Sequence, residues 1–200
     1  MPYPAPAVRT VSLPRRPTRQ PGARAVVTAL VAVGLLVPDV QAQPGVGVDR
    51  VKAAFVARFP EFVEWPPELW EGREELEICV ASPNALDGIL EEATEGRTLA
   101  GREVVVRGLQ PADDVTTCHV LFVSSLEPDR QEALLDRVGS LPVLTIGDTP
   151  GFLDRGGVIN LMLVGRRVRF TVDMAAAERA RLRVSSQLLR LASTVRGGAQ

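Results

Sequence analysis

The sequence predicts an α/β fold in which a mixed sheet carries helices on both faces, with parallel strands followed by an antiparallel C-terminal hairpin. Three observations predict it. Short β-branched runs alternate with helical ones through the middle of the chain, the pattern of βαβ connections. Near the C-terminus two strand-like runs flank a two-residue turn, Gly165 and Arg166. Between these regions lies VLTIGDTPGFLDRGGVIN, Val143 to Asn160. Its glycines at 147, 151, 156 and 157, set around Pro150, are more turn chemistry than a plain connection needs.

The 200 residues suit one domain plus an appendage, and an apolar share of 46% is enough to bury a core. The appendage is N-terminal. Arg15, Arg16, Arg19 and Arg24 precede an uncharged apolar run from Ala25 to Val37, and Val40, Gln41 and Ala42 form a small-residue cleavage signature. Residues 1–42 therefore read as a secretory signal peptide, and residues 43–200 as one α/β domain. The apolar run is shorter than the roughly 20 residues of a spanning helix. The Arg15–Arg16 pair lacks the apolar continuation of a twin-arginine signal, which favours general secretion. Removing the signal takes the chain from 23 basic and 24 acidic residues to 18 and 23, a net charge near −5. An acidic protein of this kind does not attract nucleic acid, and no later stretch is long and apolar enough to span a bilayer. The expected location is the periplasm. Nearly all basic residues are arginine, with Lys52 the one lysine, a bias of base composition and not of binding.

Each element follows from local pattern. Val48, Val51, Phe55, Phe59 and Phe62 recur at three- and four-residue spacing and predict an amphipathic helix on the core, interrupted by Pro60. Strands follow at residues 76–81, 103–109, 118–123 and 142–146, with helices at 85–95 and 128–138. In the hairpin, Gly165 at the first turn position fits a type II′ turn, and pairing Val164 with Arg167 matches Leu163 with Val168, Leu161 with Phe170 and Ile159 with Val172. That face is apolar throughout. The other carries Asn160, Met162, Arg167, Arg169 and Thr171, so turn and pattern agree on one register. A helical segment begins at Met174, and Ser185 caps a final helix with Leu188, Ala192 and Val195 on its inner face.

VKAAFVARFPEFVEWP at Val51, CHVLFVSS at Cys118, PVLTIGDTPGFLDRGGVINL at Pro142 and RVRFTVDMAAAERARLRVSSQLLRLA at Arg167 together resemble the YfiR-like family of exported proteins, over nearly the whole mature chain. The resemblance implies a Rossmann-like α/β sandwich without known catalytic activity or cofactor. It also implies a periplasmic regulator that restrains a membrane-bound diguanylate cyclase by engaging the enzyme's periplasmic sensor domain. Dimers are implied as well.

Against that background the reactive residues are few. Cys79 and Cys118 fall in strands that are neighbours if the sheet order of the first four strands is 2-1-3-4. Neighbouring strands lie about 4.8 Å apart, within reach of a disulfide in a favourable register. An oxidising compartment and an even count favour the bond over two buried thiols. The two cysteines also match one pair of the family, while a further pair there has no counterpart here. His119, the one histidine, adjoins Cys118, but neighbouring strand residues point to opposite faces, which argues against a catalytic dyad. One histidine and two cysteines do not complete a zinc site. His119 reads as a satisfied strand residue, and Asp113, Asp114, Asp148 and Asp154 as solvated turn residues.

The glycine-rich loop contains neither GxGxxG nor GxxxxGK[ST] and leads into a strand, with no helix N-terminus to hold a phosphate. It reads first as a structural crossover. A ligand-binding loop of Gly147, Asp148, Gly151, Phe152, Gly156 and Gly157 is the sharper alternative. Trp65 and Trp70, bracketed by prolines, are candidates for a contact surface. Two functions remain. One is a regulator binding the periplasmic region of a diguanylate cyclase or sensor kinase, through the hairpin's polar face and the two tryptophans. The other is a small-molecule-binding protein feeding a sensor kinase or transport system.

Overall fold

The computed structural model describes residues 44–81, 86–124 and 126–197; the segment read as a signal peptide lies outside them. In chain order the elements are α1 (Pro44–Arg58), β1 (Val63–Glu64), β2 (Glu75–Ala81), α2 (Ile89–Thr94), β3 (Thr98–Leu99) and β4 (Arg102–Leu109), then β5 (Val120–Val123), α3 (Pro128–Val138) and β6 (Leu144–Gly147). The C-terminal part adds β7 (Ile159–Val164), β8 (Arg167–Asp173), α4 (Met174–Arg179), β9 (Arg183–Val184), α5 (Ser186–Leu191) and β10 (Thr194–Arg196). Eight strands form the main sheet in the order β10-β8-β7-β6-β5-β2-β4-β3. The strands β4-β2-β5-β6 are parallel and stand in the expected 2-1-3-4 order. The hairpin β7–β8 is antiparallel in the expected register, from Ile159 opposite Val172 to Val164 opposite Arg167.

Alternation along the central strands sorts side chains to two cores. Ile78 and Val80 of β2 and Val120 and Phe122 of β5 face one side, where they meet Val56 of α1, Leu90 of α2, Ala176 and Ala177 of α4, and Leu188 of α5. Cys79, Ala81, Leu121 and Val123 face the other, beneath Leu134, Leu135 and Val138 of α3. This is the period of two that a pleated strand imposes. Small Ala53 and Ala57 bring α1 close to the sheet, and its aromatics lock it there. Phe59 stands edge-on to Phe170 of β8 at 5.1 Å between ring centres, with Phe55 at 5.6 and 5.8 Å from the two. At Pro60 the helix gives way to a single 3-10 turn, Phe59–Phe62, after which β1 pairs with β9.

Several expectations need correction. Of the expected stripe Phe55, Phe59 and Phe62 do pack on the core, joined there by Ala53, Val56 and Ala57, while Val51 is 44% exposed. The final helix is short. Ser185 does cap it, accepting from the Gln187 amide at 3.2 Å, but the helix ends at Leu191. Val195, expected on its inner face, lies instead in β10, which pairs parallel with β8 and supplies partners for an otherwise open edge.

Cys79 and Cys118 are joined by a disulfide with Cα atoms 5.7 Å apart. The geometry differs from simple side-by-side strands. Cys79 stands opposite Leu121, and Cys118 precedes β5 at the end of a tight turn in which its amide donates to the Val115 carbonyl at 3.2 Å. That turn curls Cys118 back within bonding range. Both cysteines are fully buried, and the Arg107 guanidinium lies across the two sulfurs at 3.6 and 3.9 Å. A bridge closing a span of 39 residues is worth about 4 kcal/mol by chain entropy. The double variant Cys79→Ala/Cys118→Ala is expected to lose a stability of that order in urea unfolding. Alkylation of the wild-type protein unfolded in urea without reductant is expected to label no thiol, and after reduction to label two.

Candidate functional site

The outer face of the hairpin divides into an anchored half and an open half. Thr171 is buried. Asn160, oriented so that its amide nitrogen donates, reaches the Gly147 carbonyl at 3.1 Å and the Thr149 carbonyl at 3.3 Å. These two residues hold the hairpin to the loop beside it. Met162 is half-buried, and Arg167 and Arg169 are exposed, so these three are the part of the face that a partner could reach. The hairpin tip projects furthest: Leu163 is 53% and Val164 56% exposed. Gly165 there adopts φ 61°, the left-handed value that the first position of a type II′ turn demands. The inner face, apolar throughout in sequence, is therefore covered only as far as Phe170.

In the loop 147–157 the glycines serve the ring of Phe152. That ring is fully buried, and a Cβ on either Gly147 or Gly157 would overlap it. Gly151 and Gly156, at φ 76° and 96°, turn the backbone around it. The loop is tied at both ends. Val158 N–H donates to the Thr145 hydroxyl at 3.0 Å, and Asp148 pairs with Lys52 of α1 at 2.7 Å. Asp148 is thus a partly buried ion-pair partner and not a solvated turn residue. The Gln131 side chain on α3 meets the Thr149 hydroxyl at 2.9 Å and accepts from Arg155 at 2.7 Å. The space beside Gly147 and Gly157 is occupied by the protein's own aromatic side chain, and Gly151 faces the Arg155 guanidinium. Among the other loop carboxylates, Asp154 pairs with Arg196 at 2.8 Å.

Trp65 and Trp70 form an aromatic stack around His119. Trp70 lies face to face with the imidazole at 4.6 Å between centres, Arg102 covers the Trp70 ring at 4.4 Å, and Trp65 stands edge-on to Trp70 at 5.8 Å. Trp65 is buried and Trp70 half-buried, so much of their surface is spent within the fold. His119 sits just ahead of β5, with its side chain directed away from any partnership with Cys118. The Glu77 amide donates to its Nδ1 at 3.0 Å, which leaves the proton of the neutral ring on Nε2. Nε2 is buried without a partner among the described residues, so only one end of the ring is satisfied. Burial of the ring, reinforced by the Arg73 and Arg102 guanidiniums, pushes its pKa down to about 4.

Sequence reasoning missed three contributors. Arg166 completes a cluster with Arg167 and Arg169, and the RRVR run at 166–169 was the available signal. Lys52, read as compositional, lies eight residues into α1 and reaches Asp148 of the neighbouring loop, a contact with no local signal in the sequence. The half-covered inner face had no local signal. Among the described residues no group of three or more His, Cys, Asp or Glu side chains could hold a metal ion, and no helix is long and apolar enough to cross a membrane.

Parallel strands, an appended hairpin and helices on both faces, with a buried disulfide across the first layer, define a Rossmann-like α/β domain that presents a projecting hairpin end. The chain belongs to the YfiR/HmsC-like family, whose model matches residues 49–193. The family is one of periplasmic regulators. Two solved structures share the fold. One is a conserved domain protein from Vibrio cholerae O1 biovar El Tor strain N16961, with a TM-score of 0.51 and 9% identity over 74% of this chain and 60% of that one. The other is an ABC domain in complex with L-Trp from Streptococcus pneumonia, with a TM-score of 0.50 and 9% identity over 72% and 60%. This chain thus spans about 60% of the length of each. No curated protein matches it at a significant level.

Two outcomes follow from this geometry. Gly157→Ala is expected to cost about 1–3 kcal/mol through overlap with Phe152, and the cost is expected to shrink in a Phe152→Leu background, giving a coupling term in a double-mutant cycle. The second concerns pH. The folded pKa of His119 lies below the ordinary 6.5, so its contribution is complete above about pH 6.5 and is lost as the pH falls toward 4. Urea unfolding at pH 7.5 and pH 5 is expected to show about 2 kcal/mol less stability at the lower pH, and His119→Gln is expected to remove most of that difference.

Proposed function

We propose that this protein is a non-catalytic periplasmic regulator that binds the periplasmic sensor region of a membrane signalling enzyme, in the first instance a diguanylate cyclase, and restrains it. It would thereby influence cyclic di-GMP and biofilm formation. Membership of the YfiR/HmsC-like family across residues 49–193 carries the reading. The signal-like residues 1–42 fit export to the compartment where such a sensor region is found. The projecting hairpin supports docking, because it offers exposed apolar and arginine side chains on a strand pair anchored firmly at its base.

Restraint has a thermodynamic requirement. A binding protein shifts an enzyme toward its inactive state only if it binds that state more tightly. Met162, Arg167 and Arg169 on the outer face are the residues of that face placed to make such differential contacts; Asn160 and Thr171 support them from below. Trp65 and Trp70 contribute chiefly by fixing the segment before β2. The alternative, a small ligand seated on the loop 147–157, finds less support, since Phe152 fills the space next to the glycines.

The test is genetic and biochemical together. Affinity-tagged protein recovered from detergent-solubilised cell envelopes is expected to carry a membrane-bound cyclase or sensor kinase with it. Deletion is expected to raise cyclic di-GMP and surface attachment. Unchanged levels of both would overturn the cyclase reading, and capture of a kinase would redirect it to that enzyme class.

A further inference from the structure

Where the hairpin runs past the body, its uncovered inner face and the first turns of α1 enclose a groove of about 880 Å³. Val48 and Val51 form one wall, and Leu163 and Val168 the other. Arg166 of the turn and Arg167 and Arg169 of β8 also line it, the latter two from positions that the pleat turns toward the hairpin's outer face, and among the described residues no carboxylate does. Several arginines elsewhere are paired with carboxylates: Arg50 with Glu92, Arg97 with Glu61, Arg107 with Glu77, Arg181 with Glu68 and Arg196 with Asp154. None of the three at the groove makes an ion pair or side-chain hydrogen bond with a described residue. An apolar trough bordered by three arginines, none ion-paired to a described residue, is therefore a local positive site on a chain that is otherwise net acidic.

Building on the regulator reading, we infer that this groove seats an acidic amphipathic segment of the partner's periplasmic region. Its apolar side chains would lie against Val51 and Leu163, and its carboxylates against the arginines. Charge excludes the nearer occupants. A second copy docked through the same face would bring both sets of three guanidiniums together, a repulsive arrangement for a two-fold contact. The chain's own N-terminal segment carries Arg9, Arg15, Arg16, Arg19 and Arg24 against Asp39 alone, and so has the wrong sign. A flat bilayer surface meets the rim but does not enter a groove walled by a helix and a hairpin. A slender segment with apolar and acidic faces satisfies both the shape and the charge, and helix-in-groove recognition buries such a face. Arginine suits the rim because its planar fork holds carboxylates through two parallel hydrogen bonds.

The test uses the full exported protein, purified from the periplasm, and three probes. These are a synthetic amphipathic peptide with a leucine stripe flanked by glutamates, the same peptide with lysines in place of the glutamates, and phosphatidylglycerol vesicles. The glutamate peptide is expected to bind, to weaken as ionic strength rises, and to lose affinity by about tenfold or more in the variant Arg166→Glu/Arg167→Glu/Arg169→Glu. Leu163→Ser is expected to weaken it independently of salt. All of these side chains are exposed or at the rim, and unchanged thermal unfolding of the variants is the control for folding. Equal binding of the lysine peptide, or binding of vesicles alone, overturns the inference, the latter in favour of membrane docking. Self-association abolished by Leu163→Ser would overturn it in favour of a dimer. The two readings fail separately. If the glutamate peptide binds through the groove but deletion leaves cyclic di-GMP unchanged, the groove stands and the cyclase reading falls. If a cyclase is captured equally well by the triple arginine variant, the reverse holds.

Discussion

The packing of Phe152 between Gly147 and Gly157 is the contact on which the C-terminal half depends. The hairpin joins the parallel sheet through only two paired positions, Ile146 with Ile159 and Gly147 with Asn160. Two rungs are a weak seam for a structure that must then carry β8, α4, α5 and β10. The buried ring makes good the missing rungs by filling the notch where the chain reverses, and burying a phenylalanine is worth about 2–3 kcal/mol. Polar ties close the seam from either side: the Thr145 hydroxyl on the Val158 amide, the Asn160 amide on two loop carbonyls, and Lys52 on Asp148. The last of these couples the seam to α1, so the helix and the hairpin are positioned together.

That coupling explains how the exposed surface is held. A free hairpin is marginal in water, yet this one keeps a single register to its tip, because Phe170 beneath Phe55 and Phe59 anchors the inner face at mid-length. Beyond that anchor the apolar pattern continues without cover, at Leu163 and Val168. The first turns of α1 overhang in parallel, at Val48 and Val51. Each overhang alone would be a minor irregularity, but side by side they form a groove whose walls come from separate elements and whose spacing is set by the seam. On the opposite side of the molecule the buried disulfide braces β2 against the turn before β5, and Arg107 screens its sulfurs.

Much of this was legible in the chain because it depends on local rules. The hairpin register followed from Gly165 and a period of two, and both the 2-1-3-4 order of the parallel strands and the pairing of Cys79 with Cys118 agree with the structure. Other features resisted. Val195 sits in a pattern that suits a helix, and only the free edge of β8 draws it into a strand. Asp148 looks like any loop aspartate until α1 brings Lys52 to it. His119 reads in sequence as a satisfied strand residue; its Nδ1 is satisfied, but its Nε2 is buried without a partner among the described residues.

The run from Val143 to Asn160 shows where the boundary lies. By itself the sequence determined that this segment must turn sharply, that it must re-enter a strand, and that the strand after it must pair back on itself, since glycine, proline and hydrophobic alternation act over a few residues. Only the tertiary structure decided what the glycines are for and which apolar residues remain uncovered. Those outcomes depend on where α1, Phe152 and the hairpin meet in space, and a contact between residues a hundred positions apart leaves no periodic trace in the chain that makes it.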